Sequence, residues 1–271
     1  MKIFQLNYLS RACLLLSCLV YSASYADSNV TRLNDTGIQY GGDYPKGINS
    51  SCEGTITSEN TDEDIAGNIL VQQDCATGIS ATDKAINGDV FSYVKIDQKG
   101  QELKNEATEW HCVLDQVSGL MWEVKNTSED NLHFYEDKFT WYSSNKKTNG
   151  GNIGNWNSDG NQCHGYVKGE PITYCHIEQF ADRVNKQGLC GFDDWRVPTS
   201  TELTSVINFG QTEPAINETY FPNTLDNFYW TNNPASGSDI QAWAINFHFG
   251  NSSPIRKTDL KPVRLVRSAN K

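Results

Sequence analysis

Residues 189–203 read LCGFDDWRVPTSTEL, a run that joins a cysteine, a glycine turn, two acids, a Trp-Arg step, a proline and a helix start. Thr199 and Glu202 have the T-x-x-E spacing of a capping box: the threonine oxygen accepts from the third helical N–H, and the glutamate reaches back to the cap N–H. The run therefore predicts a short extended segment over 195–198 that feeds directly into a helix. That junction sets the direction of everything after it.

The first residues read as an export signal. Lys2 and Arg11 supply the positive start, residues 12–21 (ACLLLSCLVY) the apolar core, and Ser24-Tyr25-Ala26 the small residues before a cut after Ala26. A lipoprotein signal ending at Cys18 is the minor alternative. The apolar run is shorter than the ~20 residues of a membrane span, so no transmembrane segment is expected in the mature chain. Export leaves Cys52, Cys75, Cys112, Cys163, Cys175 and Cys190, and an even count in an oxidising compartment reads as three disulfides. Spacing alone leaves the pairing open. Local loop closure favours Cys52 with Cys75 and Cys163 with Cys175, and Cys112 with Cys190 would then staple the first strand of the main domain to the 189–203 run.

A formal charge of −11 argues against nucleic acid, whose phosphates want a basic face. Residues 27–109 hold fifteen Asp or Glu against six Lys or Arg, so 27–106 reads as an acidic, disulfide-containing extension. Its one clear element is a hairpin over 90–103, with Phe91, Tyr93 and Lys95 alternating with Ser92, Val94 and Ile96 around a turn at 97–100.

The main domain, 107–268, opens with a strand at 111–115 and a return at 120–125, with Trp122 and Val124 on one face and Glu123 and Lys125 on the other. Residues 126–171 form an Asn- and Gly-rich excursion of a length usually associated with function or disorder. A helix is predicted from Thr173, with Ile177, Phe180, Ala181 and Val184 on one stripe and Gly188 as its stop. The capped helix carries Leu203, Val206 and Ile207 to Gly210. Strands follow at 228–231, at 242–249 (Trp243, Ile245, Phe247 and Phe249 on one face) and at 263–267. The fold class is α+β: two helices against a twisted, mostly antiparallel sheet, with the first and last strands adjacent.

Val113-Leu114-Asp115, Gly119-Leu120-Met121-Trp122, Trp141-Tyr142, Cys190-Gly191, the run Asp194-Trp195-Arg196-Val197-Pro198-Thr199, Glu202-Leu203, Phe221-Pro222, Tyr229-Trp230, Ala242-Trp243 and Val263-Arg264-Leu265-Val266-Arg267 occur in one order. In that order they resemble the domain at the C-terminus of the Legionella collagen-like adhesin, over roughly residues 107–268. The resemblance implies a C-type-lectin-like fold shared with formylglycine-generating enzymes, and by analogy a binding role, since the named adhesin's domain is associated with sulfated polysaccharides. The collagen-like repeats are missing, so that adhesin's trimeric architecture is not implied.

Catalysis finds little support in the residues. The late cysteine pair of formylglycine-generating enzymes is absent, because no cysteine follows Cys190, and neither G-x-S-x-G nor H-E-x-x-H occurs. Cys163-His164 and Cys175-His176 offer zinc-type ligands, but adjacent residues rarely aim at one ion, and a disulfide flanked by histidines is favoured. No cofactor is expected. Calcium at Asn155, Asn157 and Asp159 is the one metal candidate, yet Tyr166 stands where a bidentate acid belongs, and an Asn/Gly turn accounts for these residues better. Glu213-Pro214 is similar to the E-P-N of sugar-binding lectins, with Ala215 replacing the asparagine.

Trp122, Trp195, Trp230 and Trp243 are expected in the core, and Asp194 is expected to cap a turn or pair with Arg264 or Arg267. Ligand contacts are expected on exposed loops: Trp156 in the excursion, and Asn232 and Asn233 after the Tyr229-Trp230 strand. For a polyanion the candidates lie in the basic end, where Arg256, Lys257, Lys261, Arg264, Arg267 and Lys271 face one acid, Asp259. Internal pairing of Arg264 and Arg267 is the competing account, leaving Arg256, Lys257 and Lys261 as contacts.

These readings converge on an exported, non-catalytic, adhesin-like module at the periplasm, cell surface or outside the cell. It would recognise a glycan, polysaccharide or protein partner through residues 126–171 and 231–241. The alternative is a structural component of an envelope or appendage assembly; an enzyme on the same fold ranks third.

Overall fold

The computed structural model describes residues 34, 36–38, 91–156 and 163–269, with backbone alone at 41–43 and 47–49. The export signal, Cys52 and Cys75, Asn157 and Asp159, and Lys271 lie outside the described residues. The architecture is α+β. A ribbon of β1 (Gly41–Asp43) and β2 (Gly47–Asn49) accompanies two antiparallel sheets and two helices.

The first sheet has the order β3-β4-β5-β9, from Tyr93–Ile96, Cys112–Asp115, Leu120–Glu123 and Val266–Ser268. Two features depart from the sequence reading. Tyr93–Ile96 pairs in full with β4, while its own return is a single bridge from Ile96 to Glu102, so this strand serves as the edge of the main sheet. The last strand lies beside β5, not beside the first strand β4. Arg196 forms a bridge to Val266 on the other side of β9, which brings the 189–203 run to the sheet edge.

Both faces of this sheet are covered. Cys112 and Met121 face one core with Trp141, Phe180, Trp195 and Trp230, while Val113, Leu120 and Trp122 face a second with Tyr93, Leu203, Phe221 and Phe247. Every residue of β5 is therefore buried, Glu123 included. The second sheet, β6 (Phe228–Pro234), β7 (Gln241–Asn246) and β8 (Ser252–Arg256), divides its side chains between the same two cores: Ala242 and Ala244 go one way, Ile245 the other.

Helix α1 (Ile177–Gln187) starts four residues later than predicted. Residues Pro171–Thr173 form a separate 3-10 turn, and the backbone is extended at Tyr174 and His176. Extension is required there because Thr140 N–H donates to the Cys175 carbonyl and Ile177 N–H to the Thr140 carbonyl. His176 caps the helix, its Nδ1 accepting from Gln179 N–H at 3.1 Å, and Gly188 ends it at φ 73°, where the absence of Cβ removes the steric cost. Helix α2 (Ser200–Thr204) has the predicted capping box but stops at Thr204, leaving Val206 and Ile207 buried beyond its end. Glu202 also takes Arg196 in a two-point contact at 2.6 and 2.8 Å, and Arg267 closes on Asp194.

Cys112–Cys190 and Cys163–Cys175 are bonded. The histidines beside the second pair have protein partners at Nδ1: His176 is the helix cap, and His164 faces the Glu129 carbonyl at 3.2 Å.

Candidate functional site

The described parts of the excursion, 126–156 and 163–171, are pinned at several points. At its start His133 Nδ1 meets Glu123 Oε1 at 2.8 Å, and Lys125 Nζ donates to the same oxygen at 2.7 Å. Glu123 Oε2 accepts from Leu265 N–H, and Arg264 donates to the Glu123 carbonyl and to Thr224. Burial alone would raise the Glu123 carboxyl, but Lys125 and His133 hold it down to about 2. Burial lowers the Lys125 ammonium, and Glu123 opposes that.

Further along, bridges join Phe139 to Lys261, Thr140 to His176 and Tyr142 to Gly154. A Cβ on Gly154 would collide with the Trp141 carbonyl, so only glycine permits this approach. Trp141 Nε1 donates to the Thr231 carbonyl at 2.9 Å. At the far end Cys163–Cys175 closes the loop, and Arg183 donates to the His164 carbonyl.

On this scaffold Trp156 is 47% exposed and rests on Tyr174 with ring centroids 5.6 Å apart. Tyr166 lies 6.0 Å from the other partner of that group, Tyr174. Ile153, Val167 and Ile172 are also exposed, and Thr173 Oγ1 ties residue 167 to the turn that carries Ile172. The second predicted contact loop reaches the same region. Gly150 abuts the Pro234 ring, Lys257 N–H donates to the Ile240 carbonyl, and Ile240 itself is exposed.

The predicted contact residues separate by exposure. Trp156, Asn232 and Arg256 are exposed, and Arg256 pairs with Gln241 at the end of β8. Asn233 is half-buried, its Oδ1 accepting from Ser200 N–H at 2.7 Å at the start of α2. Lys261 is half-buried above Phe228. Lys257 is a correction. It is 2% exposed, and its ammonium donates to the Asn149 and Asn152 carbonyls at 2.8 and 2.6 Å, which removes it from any ligand. Arg264 and Arg267 are buried as well, so among the described residues the basic end does not form a cationic patch. No three His, Cys, Asp or Glu side chains among the described residues converge to hold a metal ion.

Trp243 is the second correction. Trp122, Trp195 and Trp230 are buried, but Trp243 is half-buried and lines a pocket of about 480 Å³ with Ile207, Phe209 and Thr201. Phe249, predicted on the same face, is exposed because β7 ends at Asn246 and the chain turns. The sequence reading missed Tyr166, Tyr174 and the exposed aliphatics; the clustering of tyrosines beside Cys163 and Cys175 was the available signal.

The scaffold is thus antiparallel α+β, closed by disulfides, with aromatic side chains presented on its loops. The sequence model of the Lcl C-terminal domain matches residues 111–267, more than half of the chain, and the protein belongs to that adhesin-associated family. No curated protein matches the sequence. No helix among the described residues is long and apolar enough to cross a membrane.

Proposed function

We propose that this protein is an exported, non-catalytic, adhesin-type binding module on a C-type-lectin-like scaffold. It engages a surface partner through the face built by residues 126–156, 163–174 and 231–241. The observation that carries this reading is the half-exposed Trp156 on Tyr174, on an excursion that also exposes Ile153, Val167 and, just after it, Ile172, and that is held by a disulfide and a buried lysine. A fixed indole beside exposed aliphatics is the composition of an interface centre: large rings lose little freedom on binding, and apolar area is already bared.

The aliphatics favour a protein partner over a bare polysaccharide, and Arg256 adds one cation at the border. The test is binding of the oxidised protein to immobilised matrix proteins and to sulfated polysaccharides, with Trp156→Ala and Ile172→Ser. Each substitution is expected to weaken capture at least tenfold. Unchanged affinity in both variants would remove this face from consideration.

A further inference from the structure

A cavity of about 650 Å³ lies between the β4–β5 ladder, the end of α1 and the start of the excursion, away from Trp156. Its lining is rich in carboxamides, and four of them use one half of the amide on the protein. Asn126 Oδ1 accepts from Ser128 N–H, and Asn131 Oδ1 accepts from His133 N–H. Asn223 does the reverse, its Nδ2 donating to the Lys125 carbonyl, and Gln187 Oε1 faces His133 Nε2. Among the described residues, the Asn126 and Asn131 NH₂ groups and the Asn223 carbonyl oxygen have no partner. The cavity thus presents fixed donors and a fixed acceptor to one ligand.

Trp110 supplies the apolar wall. Lys95 Nζ sits 3.7 Å from its ring centroid, and its Nε1 donates to the Tyr220 carbonyl, so the indole is locked in place. The floor is Lys125 and His133, both bonded to Glu123, so the carboxylate offsets the cation facing the cavity. Glu109 and His111 also line the cavity. The Lys95 and Lys125 ammonium groups are buried, so a polyanion finds no exposed ammonium here, and a purely apolar ligand would leave the amides unmatched.

We infer that this cavity is a binding site for an uncharged saccharide, one or two pyranose rings in size. Sugar hydroxyls both donate and accept, as the split amides require, and the C–H face of a pyranose suits an indole wall. The volume lies within the range of small-ligand sites. The cavity shares the start of the excursion with the proposed face but is not lined by Trp156, and it stands whether or not Trp156 engages a partner.

The probes are a panel of neutral hexoses, N-acetylhexosamines and their disaccharides, with glucuronate and heparin as charged comparisons, read by saturation-transfer NMR and calorimetry. At least one neutral sugar is expected to bind. Asn131→Asp keeps the oxygen that accepts from His133 N–H but replaces the free donor, and Asn126→Asp does the same for its own turn. Each is expected to weaken the sugar at least tenfold with an unchanged circular dichroism spectrum, whereas Trp156→Ala leaves sugar binding intact. The inference is overturned if no neutral sugar binds, if binding survives both Asp variants, or if heparin binds in preference and is indifferent to them. Loss of partner capture in Trp156→Ala with sugar binding retained would keep the two sites distinct.

Discussion

The Lys257 ammonium lies 4.3 Å from the ring centroid of Trp141 and donates to two carbonyls of the excursion that passes over it. One buried cation therefore ties the end of β8 to the loop that carries Trp156. Lys257→Met fills the same channel but strands both carbonyls, and an unsatisfied buried polar group costs about 1–3 kcal/mol. We expect a loss of about 2–4 kcal/mol in denaturant unfolding, with faster amide exchange confined to residues 143–156. Uniformly faster exchange over the whole chain would show that the lysine supports the fold in general and not this loop.

Glu123 joins β5 to Lys125, His133 and the Leu265 backbone without exposure to solvent. Breaking a buried pair from one side costs about 3–5 kcal/mol, while replacing both partners with apolar residues is often nearly neutral. Glu123→Leu is accordingly expected to destabilise by that amount, and Glu123→Leu with Lys125→Met to recover most of it. A double variant no better than the single one would locate the carboxylate's role in His133 or Leu265.

His176 gives the protein a stability threshold in mild acid. Burial, with Arg183 nearby, pushes its imidazole from 6.5 down to about 4. The unfolded chain thus binds a proton that the folded one resists. The contribution is whole above pH 6.5 and is lost as pH falls from 6.5 through 4, amounting to about 3 kcal/mol. Glu123, depressed from 4.5 to about 2, adds a second loss below pH 4.5. His176→Asn retains a cap oxygen without titrating, so its stability curve should be flat between pH 6.5 and 4.5. A wild-type curve equally flat in that interval would refute the assignment.

The chain matched by the family begins at residue 111, yet Phe91 and Tyr93 are buried in the second core, and Tyr93 meets Phe221 edge-on with centroids 5.1 Å apart. A protein starting at residue 107 loses both rings and the β3 edge. Removing a buried aromatic costs about 3–5 kcal/mol. We expect that shortened chain to lose its near-ultraviolet circular dichroism and aggregate, while one starting at residue 91 stays folded. A cooperative, soluble 107–271 fragment would contradict this.

The local signals were the legible ones. The Thr199–Glu202 box, the Gly188 stop and the Asp194–Arg267 pairing follow from spacing and charge over a few residues, and all are present. Of the described disulfides, Cys163–Cys175 is as local loop closure proposed, and Cys112–Cys190 is the pairing that remained. What failed depended on partners distant in sequence. Lys257 looks like one more exposed cation until the excursion is laid across it, and Trp243 looks like core until the chain beyond α2 leaves a pocket beside it. The 90–103 alternation was visible, but its partner strand is fixed by tertiary packing, not by the turn at 97–100. Likewise the Trp110 cavity is assembled from carboxamides that no short motif connects.

The two disulfides among the described residues are nested, with Cys163–Cys175 inside the 78-residue span closed by Cys112–Cys190. A chain that is threaded into an oxidising compartment from its N-terminus exposes Cys112 to Cys163 and Cys175 before Cys190 arrives. Oxidation in order of appearance therefore favours the wrong partner, and the native pairing calls for either delayed oxidation or a thiol-disulfide exchange catalyst. The yield of active protein should thus depend on the host's isomerase capacity more than on its oxidising power.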